Sequence, residues 1–457
     1  MRYVAIDLGS SFTKGAILDT ERLTVSLERQ LPTPGNIARV PTRYEIDPEV
    51  YFQQVQTLLD ALLEQAPNAA GVLFSTQMHG FVLSGAALQP LTPYVSWRDA
   101  ASSELDNTGK SYLEQLRTRL TPDSLRQAGV PCKGNLALSN LFARLHTDLT
   151  LPDCARFHTL GSYMTSRLGA APVCHLTNAA PTGLADIRQS CWNTDLLARA
   201  GCDGLILPRI TNRMEVIGQY QYRGRSYPLY PDLGDHQCCV LGSLTRPETD
   251  WNINIGTAGL LGLITRCFAP GDYETRPFFD GYYLRSISGL PGGRHLDLLA
   301  GFLADVQFKL GGPADPGRIW DYLVHCDAGS QLEVDLQDYT SQAAWIRHIG
   351  PGFCLDDLIG GTYAYMAHYY RRAAGRIGGQ AGCITFSGGC ALRNPALRQR
   401  ILTEFNLPEN TPVRPGEVMA GLLQLALTIT GQADSVWKAQ ALLQQGPEAR
   451  THESKGE

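Results

Sequence analysis

Apolar and polar residues alternate in two short runs near the start of the chain. Val4 and Ile6 mark the first, Ala16 and Leu18 the second, and Gly9, Ser10 and Ser11 lie between them. A period of two is the mark of half-buried strands, so "VAIDLGSSFTKGAIL" predicts a hairpin over residues 4–18 with a polar tip. The pattern returns in the second half, in "WNINIGTAGLLGLIT". There Ile253 and Ile255 lead into Gly256 and Thr257, and an apolar run follows. One device used twice predicts two related halves.

Elsewhere the period changes to that of a helix. In "DPEVYFQQVQTLLDALLEQA", Tyr51, Val55, Leu58, Leu59, Leu62 and Leu63 share one face, with Asp47 as N-cap and Pro48 at the first helical position. That helix leads into "GVLFS", a buried-strand pattern that ends at Ser75, Thr76, Gln77, Met78 and His79. "PYVSW" predicts a strand ending at Trp97, Arg98 and Asp99 before a helical run. "YPLYPDLGDHQCCVLGSL" brings Gly234, Asp235, His236 and Gln237 to a turn before an apolar helix. Residues 383–386 predict a strand running into Ser387, Gly388 and Gly389, followed by a helix capped by Asn394 with Pro395 at its start. A last apolar helix, over residues 416–430, is expected to pack against that turn. Strands alternating with helices indicate α/β architecture, in which ligands bind beyond the carboxyl ends of the strands. The polar clusters fall at such ends.

Composition narrows the function classes. A chain of 457 residues exceeds one compact core and predicts two or three domains. With 44% apolar and 18% charged residues it reads as a globular enzyme. A net charge of −5 and the absence of any basic run exclude a nucleic-acid partner. The 12 cysteines show no C-x-x-C and no zinc-type spacing, so free thiols in a reducing compartment are expected, with Cys238 and Cys239 as small core residues. Asp7 interrupts any signal-peptide core, and no apolar run approaches the ~18 residues of a membrane span. The expectation is a cytoplasmic protein with no membrane partner. The tail, residues 432–457, turns polar after 437–443, and its last ten residues are expected to fray.

The hairpin tip carries the first candidate chemistry. Backbone N–H groups, two serines, Thr13 and the Lys14 cation suit a phosphate. Neither G-x-x-x-x-G-K-[ST] nor G-x-G-x-x-G is present, so neither common nucleotide loop accounts for it. Asp235 at a helix start reads by itself as a cap. His79 and Asp99 at strand ends read by themselves as satisfied polar groups.

Five ordered motifs now stand together: "IDLGSSFTK", "STQMHG", "SWRDAASSE", "GDHQ" with "NIGTAG", and "SGGCALRNPALRQ" with "GEVMAGLLQLAL". In these the chain resembles the FGGY-type carbohydrate kinases of the actin-like ATPase superfamily, over residues 4–426. Within the family, "GDHQCCV" and "TNAAPTGLADIRQSCWNTDLLARAG" most resemble sedoheptulokinases, with xylulokinases next. The resemblance implies two actin-like, ribonuclease H-like domains facing a central nucleotide and sugar cleft. Residues 1–245 would form the first domain and 246–431 the second. It implies ATP and Mg²⁺, with a sugar hydroxyl attacking the γ-phosphate. Asp235 would be the general base, and Asp7 and Asp235 would approach the metal. Gly9, Ser10, Ser11, Thr13 and Lys14 would meet the phosphates from one side, Gly256 and Thr257 from the other. Gly388, Gly389 and Asn394 would meet the adenosine. Gln77, Met78, His79, Trp97, Asp99 and Asp235 would line the ketose pocket.

The chain departs from the family pattern at one place. Ala100 and Ala101 follow Asp99 where the family usually has Gly-Arg, which removes a cation from the pocket rim. The acceptor implied is sedoheptulose, with D-xylulose or another pentulose as the alternative, and a homodimer is left open. A reading of another class is a nucleotide-gated scaffold on the same fold, which would bind ATP and no polyol. A glycosidase would use two carboxylates but leaves both phosphate-type tips without a purpose.

Overall fold

The structure is a computed structural model that describes residues 1–243, 245–313, 315–326, 332–335, 345–410 and 417–445. The chain forms two compact units. The first comprises Met1–Leu244, Arg266–Leu284 and Val413–Glu457, the second Thr245–Thr265 and Arg285–Pro412. The segments 266–284 and 413 onward, expected in the second domain or the tail, belong instead to the first unit.

The first hairpin forms as expected. Arg2–Leu8 and Phe12–Asp19 pair antiparallel, with Gly9, Ser10 and Ser11 at the tip. They belong to a six-stranded sheet in the spatial order Gly218–Tyr222, Arg225–Gly234, Val72–Thr76, Arg2–Leu8, Phe12–Asp19, Thr24–Pro32. Its three central strands, Arg225–Gly234, Val72–Thr76 and Arg2–Leu8, run parallel, so their carboxyl ends emerge along one edge. The helix Pro48–Gln65 crosses between two of them. The Asp47 carboxylate caps it on the N–H groups of Glu49 and Val50, and Tyr51, Val55, Leu58, Leu59, Leu62 and Leu63 are buried against Val4, Ile6 and Leu8.

The strand expected from "PYVSW" is only Tyr94–Val95. It pairs with Glu45–Ile46 in a separate two-stranded ribbon. The helical run expected after Asp99 is a single 3₁₀ turn, Ala101–Ser103. Trp97 and Asp99 therefore do not follow a strand of the main sheet.

The apolar helix Glu417–Ile429 also departs from expectation. It packs in the first unit against the helix Asp235–Gly242, whereas the Gly388 turn belongs to the second unit. The contact is so close that a Cβ on Gly242 would stand 1.6 Å from the Glu417 carbonyl oxygen, and one on Gly421 2.1 Å from that of Cys238. Two glycines thus let two backbones touch. The tail continues as the helix Val436–Gln445, whose Trp437 stacks on Phe278 at 6.0 Å between ring centroids. The expectation of a frayed end lies outside the described residues.

In the second unit the strand-pairing device repeats. Asp250–Ile255 pairs antiparallel with Gly259–Thr265 and parallel with Cys383–Ser387, which puts Gly256 and Thr257 at the same sheet end as the Gly388 turn. None of the 12 cysteines forms a disulfide. Cys238 is a buried core residue, whereas the Cys239 thiol donates to the Glu417 carboxylate at 3.4 Å. Among the described residues no helix is long and apolar enough to cross a membrane.

Candidate active site

Parallel register builds the first unit's site. Leu8 lies beside Thr76, and Thr76 beside Gly234, so Asp7, the Gln77 to His79 stretch and Asp235 leave one sheet edge together. Gly234 is required there. A Cβ on it would meet Gln237 Oε1 at 2.5 Å, Met78 Sδ at 2.7 Å and the Thr177 carbonyl at 2.9 Å.

Asp235 is the first residue of its helix, not the cap. The cap position is Gly234, which offers no side chain. The Asp235 carboxylate accepts only the neighbouring N–H of His236, at 2.7 Å, among the hydrogen bonds described. Asp232, three residues earlier and fully buried, shows the contrast. It accepts from the Thr159 hydroxyl at 2.8 Å, the Asn178 amide at 2.8 Å and the His175 N–H at 3.2 Å. Asp232 is saturated by the fold, and Asp235 is left with lone pairs for a ligand.

Burial pushes the Asp235 carboxyl up to about 7, with the Asp7 charge adding to it. Burial likewise pushes Asp7 up to about 6, against the Lys14 cation. Asp7 Oδ1 is buried with no hydrogen-bond partner. A buried and a half-buried carboxylate that repel each other, with an orphaned oxygen on the buried one, fit a divalent cation. No cluster of three or more His, Cys, Asp or Glu suited to a metal occurs among the described residues, so water and substrate oxygens would supply the other ligands.

The tip is tied from below. Gly9 N–H donates to the Phe12 carbonyl at 3.1 Å, and the Gly9 carbonyl accepts from the Thr33 hydroxyl at 2.8 Å and the Gln77 amide at 3.4 Å. Gly9 and Gln77 thus shape the tip, leaving the Ser10 and Ser11 amides outside this internal bonding. Lys14 is exposed opposite buried Asp7, on the same face. Thr13 corrects an expectation. It pairs with Leu8 on the other face, is wholly buried, and cannot meet a phosphate with Lys14, because neighbours along a strand point to opposite sides.

Asp99 is a second correction. Its oxygens accept from the N–H groups of Tyr44 at 2.9 Å and Ala101 at 3.0 Å, and from Arg144 at 3.3 Å, with the residue 1% exposed. These bonds tie it into the Arg144 network, so most of its acceptor capacity is used within the fold. Trp97 is surface-exposed, with the Arg98 guanidinium 5.5 Å from its ring. Met78 and His79 stay at the sheet edge. His79 has a left-handed backbone, φ 71°, and burial pushes its imidazole down to about 3, so it is neutral. Its Nε2 accepts from Arg276 at 3.2 Å, which leaves only Nδ1 to carry its proton.

Arg276, Glu274 and Lys133 form a chain of ion pairs missing from the sequence reading, with Arg276 and Glu274 buried and Lys133 half-exposed. Its sole local trace is "ETRP", in which Glu274 and Arg276 occupy one face of the strand Glu274–Pro277.

In the second unit a cavity of about 630 Å³ is lined by Gly256, Thr257, Gly293, Asp297, Trp320, Gly389, Cys390 and Arg393. The carbonyls of Gly256 and Thr257 accept from the N–H groups of Gly293 and Arg294, at the start of the helix Gly293–Lys309. Gly388 has φ 84°, and a Cβ there would meet the Ile255 carbonyl at 2.6 Å, so its glycine serves the close approach of two strands. Asn394 is a third correction. It is fully buried, its oxygen caps Leu397 N–H at 2.9 Å, its nitrogen donates to the Tyr363 hydroxyl at 2.9 Å, and Arg393 lines the cavity instead.

Comparison with known proteins sets this geometry in context. A xylulose kinase of Staphylococcus xylosus is 24% identical over 277 residues, 57% of this chain and 54% of that protein. The chain thus spans about half the length of the curated relatives it matches. A ligand-bound xylulose kinase of Lactobacillus acidophilus superposes with a TM-score of 0.83 at 19% identity, covering 96% of this chain and 91% of its own. The Plasmodium falciparum glycerol kinase with ADP gives 0.80 at 15%, covering 97% and 92%. These likenesses establish the two-domain actin-like, ribonuclease H-like fold. Residues 2–226, which carry Asp7, His79 and most of the first-unit sheet, match the N-terminal domain of the FGGY family of carbohydrate kinases.

Proposed function

We propose that this chain is an ATP-dependent sugar kinase, a phosphotransferase with an alcohol acceptor. The observation that carries the reading is Asp235: a half-buried carboxylate at a sheet edge, unsaturated, raised to about 7 by burial and by the charge of the buried Asp7. A base poised near neutrality suits removal of the proton from an attacking hydroxyl. Lys14 and the Ser10 and Ser11 amides supply positive potential for the phosphoryl oxygens, on which charge builds during transfer. Asp7 and Asp235 would hold Mg²⁺, which when bound screens the charge of the nucleotide phosphates. The second-unit cavity, with Gly389 open on its wall, has the size and the aromatic Trp320 expected of a nucleoside site.

For the acceptor we favour a ketose, with sedoheptulose supported by the "GDHQCCV" motif. A pentulose is the second reading, supported by the names of the xylulose kinases to which the chain is similar. The test is turnover with ATP and Mg²⁺ across sedoheptulose, D-xylulose, D-ribulose and glycerol. Efficient transfer to sedoheptulose alone decides for the first reading, and to a pentulose alone for the second. A thermal shift with ATP and none with any polyol, together with no turnover, would leave a nucleotide-gated scaffold.

A further inference from the structure

We propose that a second copy of this chain docks on the outer face of the helix Gly293–Lys309, the two helices crossing ridge into groove about a twofold axis. The proposal is independent of the kinase reading. The helix is apolar on two sides. Leu296, Ala300 and Ala304 are buried and anchor it in the second unit. Leu298, Phe302 and Val306, with Leu310 just past its end, recur every four residues on the other side, Phe302 59% and Leu310 83% exposed. A surface helix needs only one apolar face to hold it in place.

The outward ridge runs into a groove. Leu303, Val306, Leu310, Ile319, Tyr322 and Leu355 line a cleft of about 570 Å³ between this helix, the helix Pro316–His325 and the start of the helix Leu355–Ile377. Leu298, Phe302, Val306, Leu310, Tyr322 and Leu355 together leave on the order of 600 Å² open, the upper end for a lone monomer and near the ~800 Å² that each partner gives to a standard interface. The patch is large enough to hold a partner.

The shape of the face selects a copy of itself. In the commonest helix crossing, near −50°, a ridge of residues four apart on each helix lies in the groove of the other, so both helices must present the same spacing. Two copies of this helix do so by identity. Gly301 deepens the groove beside Phe302: it is exposed in mid-helix, and no described atom lies within 4 Å of where its Cβ would stand. Glycine there costs about 1 kcal/mol against alanine, which a close approach from outside would offset. A knob and a notch side by side on one helix suit an isologous contact, Phe302 of each copy entering the notch of the other. Charge raises no barrier, because Asp305 and Lys309 on the same side close an ion pair at 2.8 Å.

Sedimentation velocity of the full chain from about 1 to 100 µM is the test. Wild type should reach twice the 50.0 kDa of one chain, or a multiple of that. Phe302→Asp should halve the assembly, its dissociation constant rising at least about 100-fold, with an unchanged circular dichroism spectrum. Gly301→Gln fills the notch with a better helix former, so it should loosen the assembly at least about tenfold while the dilute monomer melts no lower; it serves if Phe302→Asp does not fold. Ile37→Asp, at an exposed apolar residue of the first unit, should leave the mass unchanged. Wild type that stays monomeric at the highest concentration overturns the proposal, also where a different macromolecule binds at Phe302. So does an assembly that Gly301→Gln and Phe302→Asp leave intact, or that Ile37→Asp disrupts as strongly.

Discussion

Asp7 stands directly across the first hairpin from Lys14, and the lysine is the main charge opposing the upward push of burial on the Asp7 carboxyl. The pair couples a candidate metal ligand to a candidate phosphate contact. Changing one should alter the other.

Lys14→Met should lower kcat by about 100-fold with ATP and the preferred sugar, and Lys14→Arg by less, because a positive charge survives. Lys14 is exposed, so the melting temperature should move little. The acidic limb of the pH–rate profile should shift to higher pH as Asp7 loses its counter-charge. Retention of wild-type kcat in Lys14→Met would remove the residue from the mechanism.

Asp235→Asn should cut transfer by about 10²- to 10⁴-fold while ATP binding, read by calorimetry, persists. It should also stabilise the protein above neutrality. The folded state raises Asp235 from 3.8 to about 7 and Asp7 from 3.8 to about 6, so it holds these protons to higher pH than the unfolded chain. The contribution of the pair to stability is therefore greatest below about 4 and lost as pH climbs to about 7. Melting curves at pH 5 and pH 8 should show the variant gaining on wild type at pH 8; no gain would mean that the carboxyl is not raised.

Gly242→Ala should destabilise by about 2 kcal/mol or more, since its new methyl would fall 1.6 Å from a backbone oxygen that side-chain rotation cannot clear. Asp235 begins the same helix, so the kcat of the surviving protein should fall too. Urea titration and steady-state kinetics on one preparation check both. An unchanged midpoint would show that the helices separate at no cost.

Asn394→Ala and Gly389→Val separate capping from ligand contact. The first removes a cap and a bond to Tyr363, costing about 1 kcal/mol or more with little change in KM for ATP. The second places a branched side chain into the second-unit cavity, where the nearest atom to a Cβ is Arg393 Nη2 at 3.7 Å. Its KM for ATP should rise at least about tenfold, and the opposite pattern would return the nucleoside contact to Asn394.

The elements legible in advance are those whose signals are local. Alternation drew both hairpins, the Asp47-Pro48 pair started its helix, and Asn394 with Pro395 started another. The same alternation, applied one residue further, also places Thr13 on the face away from Lys14. Asp99 was misread because its partners, Tyr44 and Arg144, are far from it along the chain. Asp232 and Asp235 look alike in "PDLGD", and only the donors around each tell them apart.

Sequence by itself determined which residues turn, pair and cap, because backbone sterics and side-chain periodicity act over a few positions. Tertiary structure alone decided that residues 266–284 fold into the first unit and bring Arg276 to His79, and that Glu417–Ile429 lies on the helix of Asp235. Those choices depend on burial and ion pairing between segments far apart in the chain, which leave no periodic trace in either segment.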